Sequence, residues 1–279
     1  DFLCIGSVTL TAGSEEPPGT VIRATEDGIS IQGSDGALHC EHLTTLEGAP
    51  VGETEFPRYG FVIGATLPKL TQANVDAADN LDRAATKSER FWVSRLQRLC
   101  IPKFTELKLQ APLGQTASID IPLTEPLLTL ASDALQTMLT AGLAIYSARV
   151  NDQTTLVNLP VCLTPLTDDL LKLYSPIVPM SFDIDLNAAW QTVIEQAGQE
   201  LTKISSRGAY ARDVWTRYSS LRDKPISDRQ MPIAIDLDGN DTELPKGVRL
   251  LLRLGSDGGR IQALFDLNAI HALQVERIV

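Results

Sequence analysis

The side chains best suited to chemistry in the first part of this sequence are the run His39-Cys40-Glu41-His42. Imidazole, thiolate and carboxylate groups are all common zinc ligands. Side chains on a strand alternate between its two faces, which places His39 and Glu41 on one face and Cys40 and His42 on the other. A metal site using both histidines would need a break in the strand, and the only other histidine is His271. We therefore interpret the run as a strand and not as a metal centre.

Two Asp-Gly pairs, Asp27-Gly28 and Asp35-Gly36, indicate that this strand belongs to an antiparallel sheet. Asp-Gly supplies the positive φ angles of tight turns and is a strong hairpin signal between apolar runs. On the last strand we expect Cys40 and Leu38 to face a small core. The pattern predicts a small antiparallel β-barrel or meander, with strands at 2–10, 20–24, 29–32 and 37–43.

The acidic stretch 236–241, Asp-Leu-Asp-Gly-Asn-Asp, is a second candidate for a metal site. An EF-hand loop places glycine at its sixth position, whereas Gly239 is the fourth residue counted from Asp236. An acidic turn between strands is the better interpretation. His271 falls in the last predicted helix, as a packed or surface residue. We assign no catalytic, cofactor-binding or metal-binding residue, and we expect no cofactor.

The charge balance disfavours two classes of partner. The 279 residues carry a formal net charge of −11. Proteins that bind nucleic acid or anionic membrane surfaces usually carry an excess of lysine and arginine, so we expect neither partner. The four cysteines lie far apart and form no CxxC pair, which is typical of reduced thiols in a cytoplasmic protein. They are Cys4, Cys40, Cys100 and Cys162.

Residues 51–86 read as a linker followed by the start of a helix. The helix begins at Thr71, and its apolar residues recur at steps of three and four until Pro102 ends the pattern. Further along, Thr124-Glu125-Pro126 opens one long helix. Asn187 caps another helix, which Gly208 ends.

Strands alternate with these helices over the rest of the chain, which predicts an α/β or α+β lobe with a sizeable sheet. The last two strands are joined by the hairpin turn Ser256-Asp257-Gly258-Gly259. The predicted strands lie at 116–122, 154–163, 177–186, 232–237, 248–254 and 260–267, and a final helix starts near Asn268.

The first fifty residues resemble the C-terminal β-barrel subdomain of methionyl-tRNA formyltransferase and related formyltransferases. The resemblance is carried by Pro18-Gly19-Thr20-Val21, Asp27-Gly28-Ile29, Ser34-Asp35-Gly36-Ala37-Leu38 and Leu46-Glu47-Gly48. It implies a structural subdomain, because no segment resembles the catalytic core of that family. Residues 1–50 contain eight acidic residues and one basic residue, so tRNA binding is not expected to carry over.

Residues 87–279 resemble the C-terminal lobe of a nonribosomal peptide synthetase condensation domain. The segment 88–96, Ser-Glu-Arg-Phe-Trp-Val-Ser-Arg-Leu, is similar to the family's "ayWrerL" segment. The stretches 139–149, 154–161, 174–186, 231–237 and 247–268 follow in the family's order. This resemblance implies an acyltransferase-like mixed sheet covered by helices.

The family's catalytic signature, His-His-x-x-x-Asp-Gly, belongs to the first lobe, and this sequence contains no His-His pair. We therefore expect a truncated condensation lobe and three regions: 1–50, the linker 51–86, and 87–279. The expected function is a non-catalytic platform in a synthetase initiation module. Its expected partners are an upstream formyltransferase-like domain, a downstream adenylation domain and a carrier protein. The alternative is acyltransferase, condensation or formyltransferase activity in the intact parent, with His39, His42 and His271 as the only neutral-pH bases.

Overall fold

The residues that the structure describes form two β-sheets, one of four strands and one of six. The computed structural model of the protein describes residues 2–69, 71–104, 106–151, 156–162, 172–175, 177–237, 243–245, 247–254 and 259–278. The chain divides into two units. The first contains residues up to Lys87 together with 172–174 and Ala211–Asp223, and the second contains the remainder.

The sheet of the first unit has the strand order β1-β4-β3-β2, with every pair antiparallel. Gly28 has a φ of 136°, and a Cβ there would collide with the carbonyl oxygen of Cys40, so the first predicted turn requires glycine. β1 and β2 lie at the two edges of the sheet, so the described strands form no closed barrel and the barrel alternative is wrong. The strands are β1 Leu3–Thr11, β2 Val21–Thr25, β3 Gly28–Gln32 and β4 Ala37–Thr45.

One face of this sheet covers a small apolar core that includes Ile29, Cys40 and Leu43. Val51 and Phe56 complete the core, so the beginning of the predicted linker packs against the sheet. Phe56 is supplied by a short 3-10 helix, Glu53–Tyr59. Cys40 faces the core as expected. The expectation for Leu38 was wrong, because 43% of Leu38 is exposed.

A segment distant in sequence completes the first unit. Residues 211–223 carry two short helices, α5 Val214–Arg217 and α6 Ser219–Arg222. Arg212 forms an ion pair with Glu47, and its Nε donates to Glu47 Oε1 at 2.9 Å. The Cys4 thiol lies 3.7 Å from the hydroxyl of Thr216. These contacts join parts of the chain that are more than 150 residues apart.

Helix α1, Gln72–Gln97, begins where the sequence predicts it. The backbone N–H of Asn74 donates to Thr71 Oγ1, and the Asn74 side chain accepts from the Thr71 N–H, each at 3.2 Å. These bonds satisfy groups that a helix start leaves unpaired. Trp92 and Leu96, at four-residue spacing, are fully buried. α1 belongs to the first unit up to Lys87 and to the second from Ser88.

The sheet of the second unit has the strand order β5-β10-β9-β8-β6-β7. The pairs β6–β8 and β8–β9 are parallel and the other three are antiparallel, so the sheet is mixed as predicted. Its strands follow the expected segments closely. They are β5 Thr116–Pro122, β6 Leu156–Cys162, β7 Ile177–Asp183, β8 Ile233–Asp236, β9 Leu250–Leu254 and β10 Arg260–Asp266.

The helices of the second unit differ from the prediction at two points. The expected long helix is two helices, because the chain is non-helical at 129–131, where Ala131 is the N-cap of the second one. The N-cap before Trp190 is Ala189 and not Asn187, whose N–H instead donates to Asp185 Oδ1 at 2.9 Å. The helices are α2 Glu125–Leu128, α3 Ser132–Val150, α4 Trp190–Arg207 and α7 Ala272–Ile278. Gly208 ends α4 as predicted.

Among the helices that the structure describes, none combines the length and the apolar character needed to cross a membrane.

Candidate functional site

β4 carries the run His39-Cys40-Glu41-His42 into the first sheet. Cys40 is buried in the core, whereas His39 Nε2 lies 3.5 Å from Glu41 Oε1 on the other face. The predicted alternation is therefore confirmed for these three residues. His42 is exposed and has a φ of 54°, which is uncommon for a residue other than glycine. The strand is thus irregular at His42.

Polar side chains connect three neighbouring strands across this face. Ser7 Oγ on β1 donates to Glu41 Oε2 at 2.9 Å. The hydroxyl of Ser30 on β3 lies 2.9 Å from His39 Nδ1. Because the groups sit opposite one another on adjacent strands, their hydrogen bonds stabilise the pairing of β1, β4 and β3. We call this set, Ser7, Glu41, His39 and Ser30, the polar ladder.

A pocket of about 580 Å³ opens beside the polar ladder, next to the turn between β2 and β3. Its lining includes His39, Glu41, His42, Arg23 and Asp27. Arg23 and Asp27 form an exposed ion pair at 3.3 Å. In the described part of the chain, no group of three or more His, Cys, Asp or Glu side chains is placed to hold a metal ion.

The ladder combines hydroxyl, imidazole and carboxylate groups, and its two serines differ in exposure, because Ser7 is half-buried and Ser30 is buried. Ser30 is only 6% exposed, so a substrate cannot approach its hydroxyl. Burial raises the pKa of the Cys40 thiol, which keeps it protonated and unreactive near neutral pH. The hydrogen bonds of the ladder join β1, β4 and β3 and orient these strands.

The two remaining candidate residues lie in the second unit. His271 is exposed and directly precedes α7, and its backbone N–H donates to Gln274 Oε1 at 3.2 Å. Asp236 ends β8, and its carboxylate lies 3.9 Å from a nitrogen of Arg253. Residues 238–241 of the predicted acidic turn, and 256–258 of the predicted hairpin turn, lie outside the described residues.

The sequence interpretation missed a buried charge cluster between α1, α4 and β7. Arg95 Nη1 lies 2.8 Å from Glu200 Oε2, and Lys203 Nζ donates to the other carboxylate oxygen at 2.9 Å. The N–H of Ser181 also donates to Glu200 at 3.1 Å. Burial alone would raise the pKa of Glu200, but these hydrogen bonds and charges outweigh it and hold that pKa below its usual value. The available signal was the position of Glu200 within the apolar stripe of α4.

A second buried pair, Arg249 with Asp266, anchors the segment before β5. Arg249 also donates to the carbonyl of Ala111 at 2.7 Å. Asp266 Oδ1 accepts from the N–H groups of Gly114 at 3.0 Å and Asn268 at 2.9 Å. Burial of Asp266 opposes ionisation, yet these donors and Arg249 lower its pKa overall. No spacing rule in the sequence connects these residues.

No protein-family model matches this sequence, and no curated protein matches it. Solved structures do match. A variant of the starter condensation domain of rhizomide synthetase RzmA in complex with C8-CoA matches with a TM-score of 0.55 and 17% identity, covering 73% of this chain and 52% of that chain. Two crystal forms of the EpoB NRPS cyclization-docking bidomain from Sorangium cellulosum match with a TM-score of 0.51 and 12% identity.

The two crystal forms cover 81% and 95% of this chain, and it covers 52% and 61% of theirs. The protein therefore has a condensation-domain-like fold, as predicted. It spans about half the length of the condensation-domain structure with the TM-score of 0.55. At these identities the similarity concerns the fold.

Proposed function

We propose that this chain is a non-catalytic platform segment of a nonribosomal peptide synthetase initiation module. It would link an upstream formyltransferase-like domain to a downstream adenylation domain, with the carrier protein in the same polypeptide. The observation that carries the proposal is a condensation-domain-like fold that spans about half of a matching condensation domain. A partial fold of this kind keeps a large surface for a neighbouring domain.

The distribution of histidines supports a non-catalytic role. Condensation chemistry resembles other acyl transfers in needing a base near the attacking amine. The sequence has no His-His pair, and His271 is the only histidine from residue 88 onward. His271 is exposed beside the start of a short helix. The other two histidines belong to the first unit, where His39 is part of the polar ladder.

The upstream partner is inferred from the first unit. The segments that resemble the formyltransferase subdomain coincide with the strands and turns of its sheet. Asp27-Gly28 forms the turn into β3, and Gly36, with a φ of 156°, precedes β4. We infer from this resemblance that the sheet belongs to a larger, formyltransferase-like domain.

Calorimetry tests the platform directly. The purified chain would be titrated with the adenylation domain encoded directly downstream in the same gene, and an adenylation domain from an unrelated synthetase would serve as the control. We expect a dissociation constant of about 1 µM or lower, which corresponds to about −8 kcal/mol, for the matched pair only. Absence of a binding heat for the matched pair would contradict the proposal.

The enzyme alternative is tested in the intact parent. The substitutions His39→Ala, His42→Ala and His271→Ala remove each neutral-pH base in turn. A platform without chemistry predicts that the synthetase still forms its product in all three variants. Loss of product with normal protein levels in any one of them would favour acyl transfer by that residue.

A further inference from the structure

A cavity of about 260 Å³ lies within the second unit, between α3 and the strands β9 and β10. Most of the side chains that line it are aliphatic. Pockets that hold small molecules are concave and mostly apolar, with a few polar groups at one end. Among the side chains that line this cavity are Leu127, Leu135, Met138, Leu252, Leu254 and Ile261.

A second cavity of about 290 Å³ has a different character. It is lined by Arg149 and Asp185 as well as by Leu186 and Val193. Both cavities share two lining residues, Gly142 and Trp190. The two cavities therefore adjoin at these residues, and we call the pair the Gly142 groove.

Gly142 has no neighbouring side chain packed against its Cα. It lies in the interior of α3, where glycine is the least favourable residue after proline. Close packing against a neighbouring element often explains a helix glycine, but a Cβ at Gly142 would meet no atom within 4 Å. The missing side chain therefore leaves open space where the two cavities meet.

Trp190 stands at the same junction. It is the first residue of α4 and is 43% exposed, whereas Trp92 and Trp215 are 0% and 4% exposed. The neighbouring Leu186 is 47% exposed. An indole combines a large apolar surface with one hydrogen-bond donor, which suits the boundary between an aliphatic and a polar compartment.

The charged side chains of the second cavity indicate which head group a ligand would carry. Arg149 is exposed, and within the described residues its guanidinium has no ion pair. Asp185 already accepts the N–H of Asn187 at 2.9 Å. Arg149 is the one cation among the side chains that line this cavity, and a guanidinium pairs best with a carboxylate or a similar anion.

We propose that the Gly142 groove binds a small amphipathic molecule, with an aliphatic chain in the cavity under α3 and an anionic head group at Arg149. This goes beyond the platform role, because it adds a ligand site inside the second unit. The apolar walls disfavour nucleotides and sugars, which would leave their polar groups without partners.

The probe is decanoate, added to the full-length chain below its micelle-forming concentration and followed by tryptophan emission. We expect a saturable blue shift that Trp190→Phe abolishes. Gly142→Leu fills the junction with a good helix former and should weaken binding at least tenfold. Gly198→Ala, at a helix glycine in α4 outside the groove, is the matched control and should leave the affinity unchanged.

Arg149→Ala tests the head-group contact separately from burial of the ligand's aliphatic chain. Because Arg149 is exposed, the substitution leaves the packed interior unchanged. It should weaken decanoate severalfold while leaving the affinity for decanol unchanged. The proposal is overturned if decanoate does not bind saturably, or if Gly142→Leu, shown to be folded by circular dichroism, binds it as tightly as the original chain. If Gly142→Leu weakens binding of the adenylation domain but not binding of decanoate, the groove receives a side chain of that domain and the ligand proposal fails.

Discussion

Charged side chains are held differently in the two units. The Arg23–Asp27 pair of the first unit has side chains that are 54% and 75% exposed, whereas those of Arg249 and Asp266 in the second unit are 13% and 2% exposed. Water and salt screen the first pair, while the second stays ionised only because its partners replace the lost water. We therefore expect the same kind of substitution to have very different effects in the two sheets.

The largest effect is expected for Asp266→Ala. It leaves Arg249 buried without its carboxylate and removes the acceptor of the Gly114 and Asn268 N–H groups. Breaking a buried pair from one side costs about 3–5 kcal/mol. Urea denaturation at pH 7 measures this as a lower midpoint for the second unit.

The matched double variant Asp266→Leu with Arg249→Met removes both charges. It should recover much of the lost stability, because neither charge is then left unpaired. A double variant as unstable as Asp266→Ala would show that the hydrogen bonds to the loop, and not the buried charge, dominate.

Glu200→Gln is expected to cost about 2–3 kcal/mol, because hydrogen bonds to a charged group are replaced by neutral ones. The effect should depend on pH. The folded-state pKa of Glu200 is lowered, so its contribution is present above the unfolded pKa of about 4.3 and disappears as the pH falls through the folded value. The difference between the original chain and the variant should shrink in urea melts below about pH 4. A difference that stays constant down to pH 2 would contradict this account.

His39→Ala probes the polar ladder of the first unit. It removes the contacts to Ser30 and Glu41, which are partly accessible to water. We expect a loss of about 1 kcal/mol, measured as thermal stability of the first unit. Ser7→Ala, at the outer end of the ladder, should cost less. A loss as large as that of Asp266→Ala would remove the contrast between the two sheets.

Arg23→Ala should have the smallest effect, about 0.3–0.5 kcal/mol. Its ion pair with Asp27 is exposed and screened by salt. Repeating the urea titration at high salt should abolish even this difference. A salt-independent loss would point to packing of the arginine stem and not to charge.

The local sequence pattern was sufficient to predict most of the helices and strands. The Asp-Gly pairs placed the turns of the first sheet, and the apolar repeat of α1 predicted its start at Thr71 and the burial of Trp92 and Leu96. These features depend on backbone preferences and on side-chain period within a few residues. The break between α2 and α3 was missed because the apolar repeat continues through 129–131, although the chain there is not helical.

The charge clusters could not be located from pattern. Arg95 and Glu200 are 105 residues apart, and Arg212 reaches Glu47 across 165. Glu200 could be recognised as a charge in an apolar stripe, but not which cation would meet it. The Gly142 groove was equally hidden, because a glycine in a helix has the same local pattern whether its neighbour is solvent, a packed strand or a cavity.

The sequence by itself determined the strands, the main helices, the acidic character and the resemblance to a condensation lobe. The tertiary structure alone decided that residues 211–223 join the first unit, that Asp266 is buried against Arg249, and that Gly142 faces empty space. The physical reason is the distance along the sequence over which the interactions act. Secondary structure follows from torsional preferences and hydrogen bonds between near neighbours, whereas burial, pairing and cavities are sums over side chains that only folding brings together.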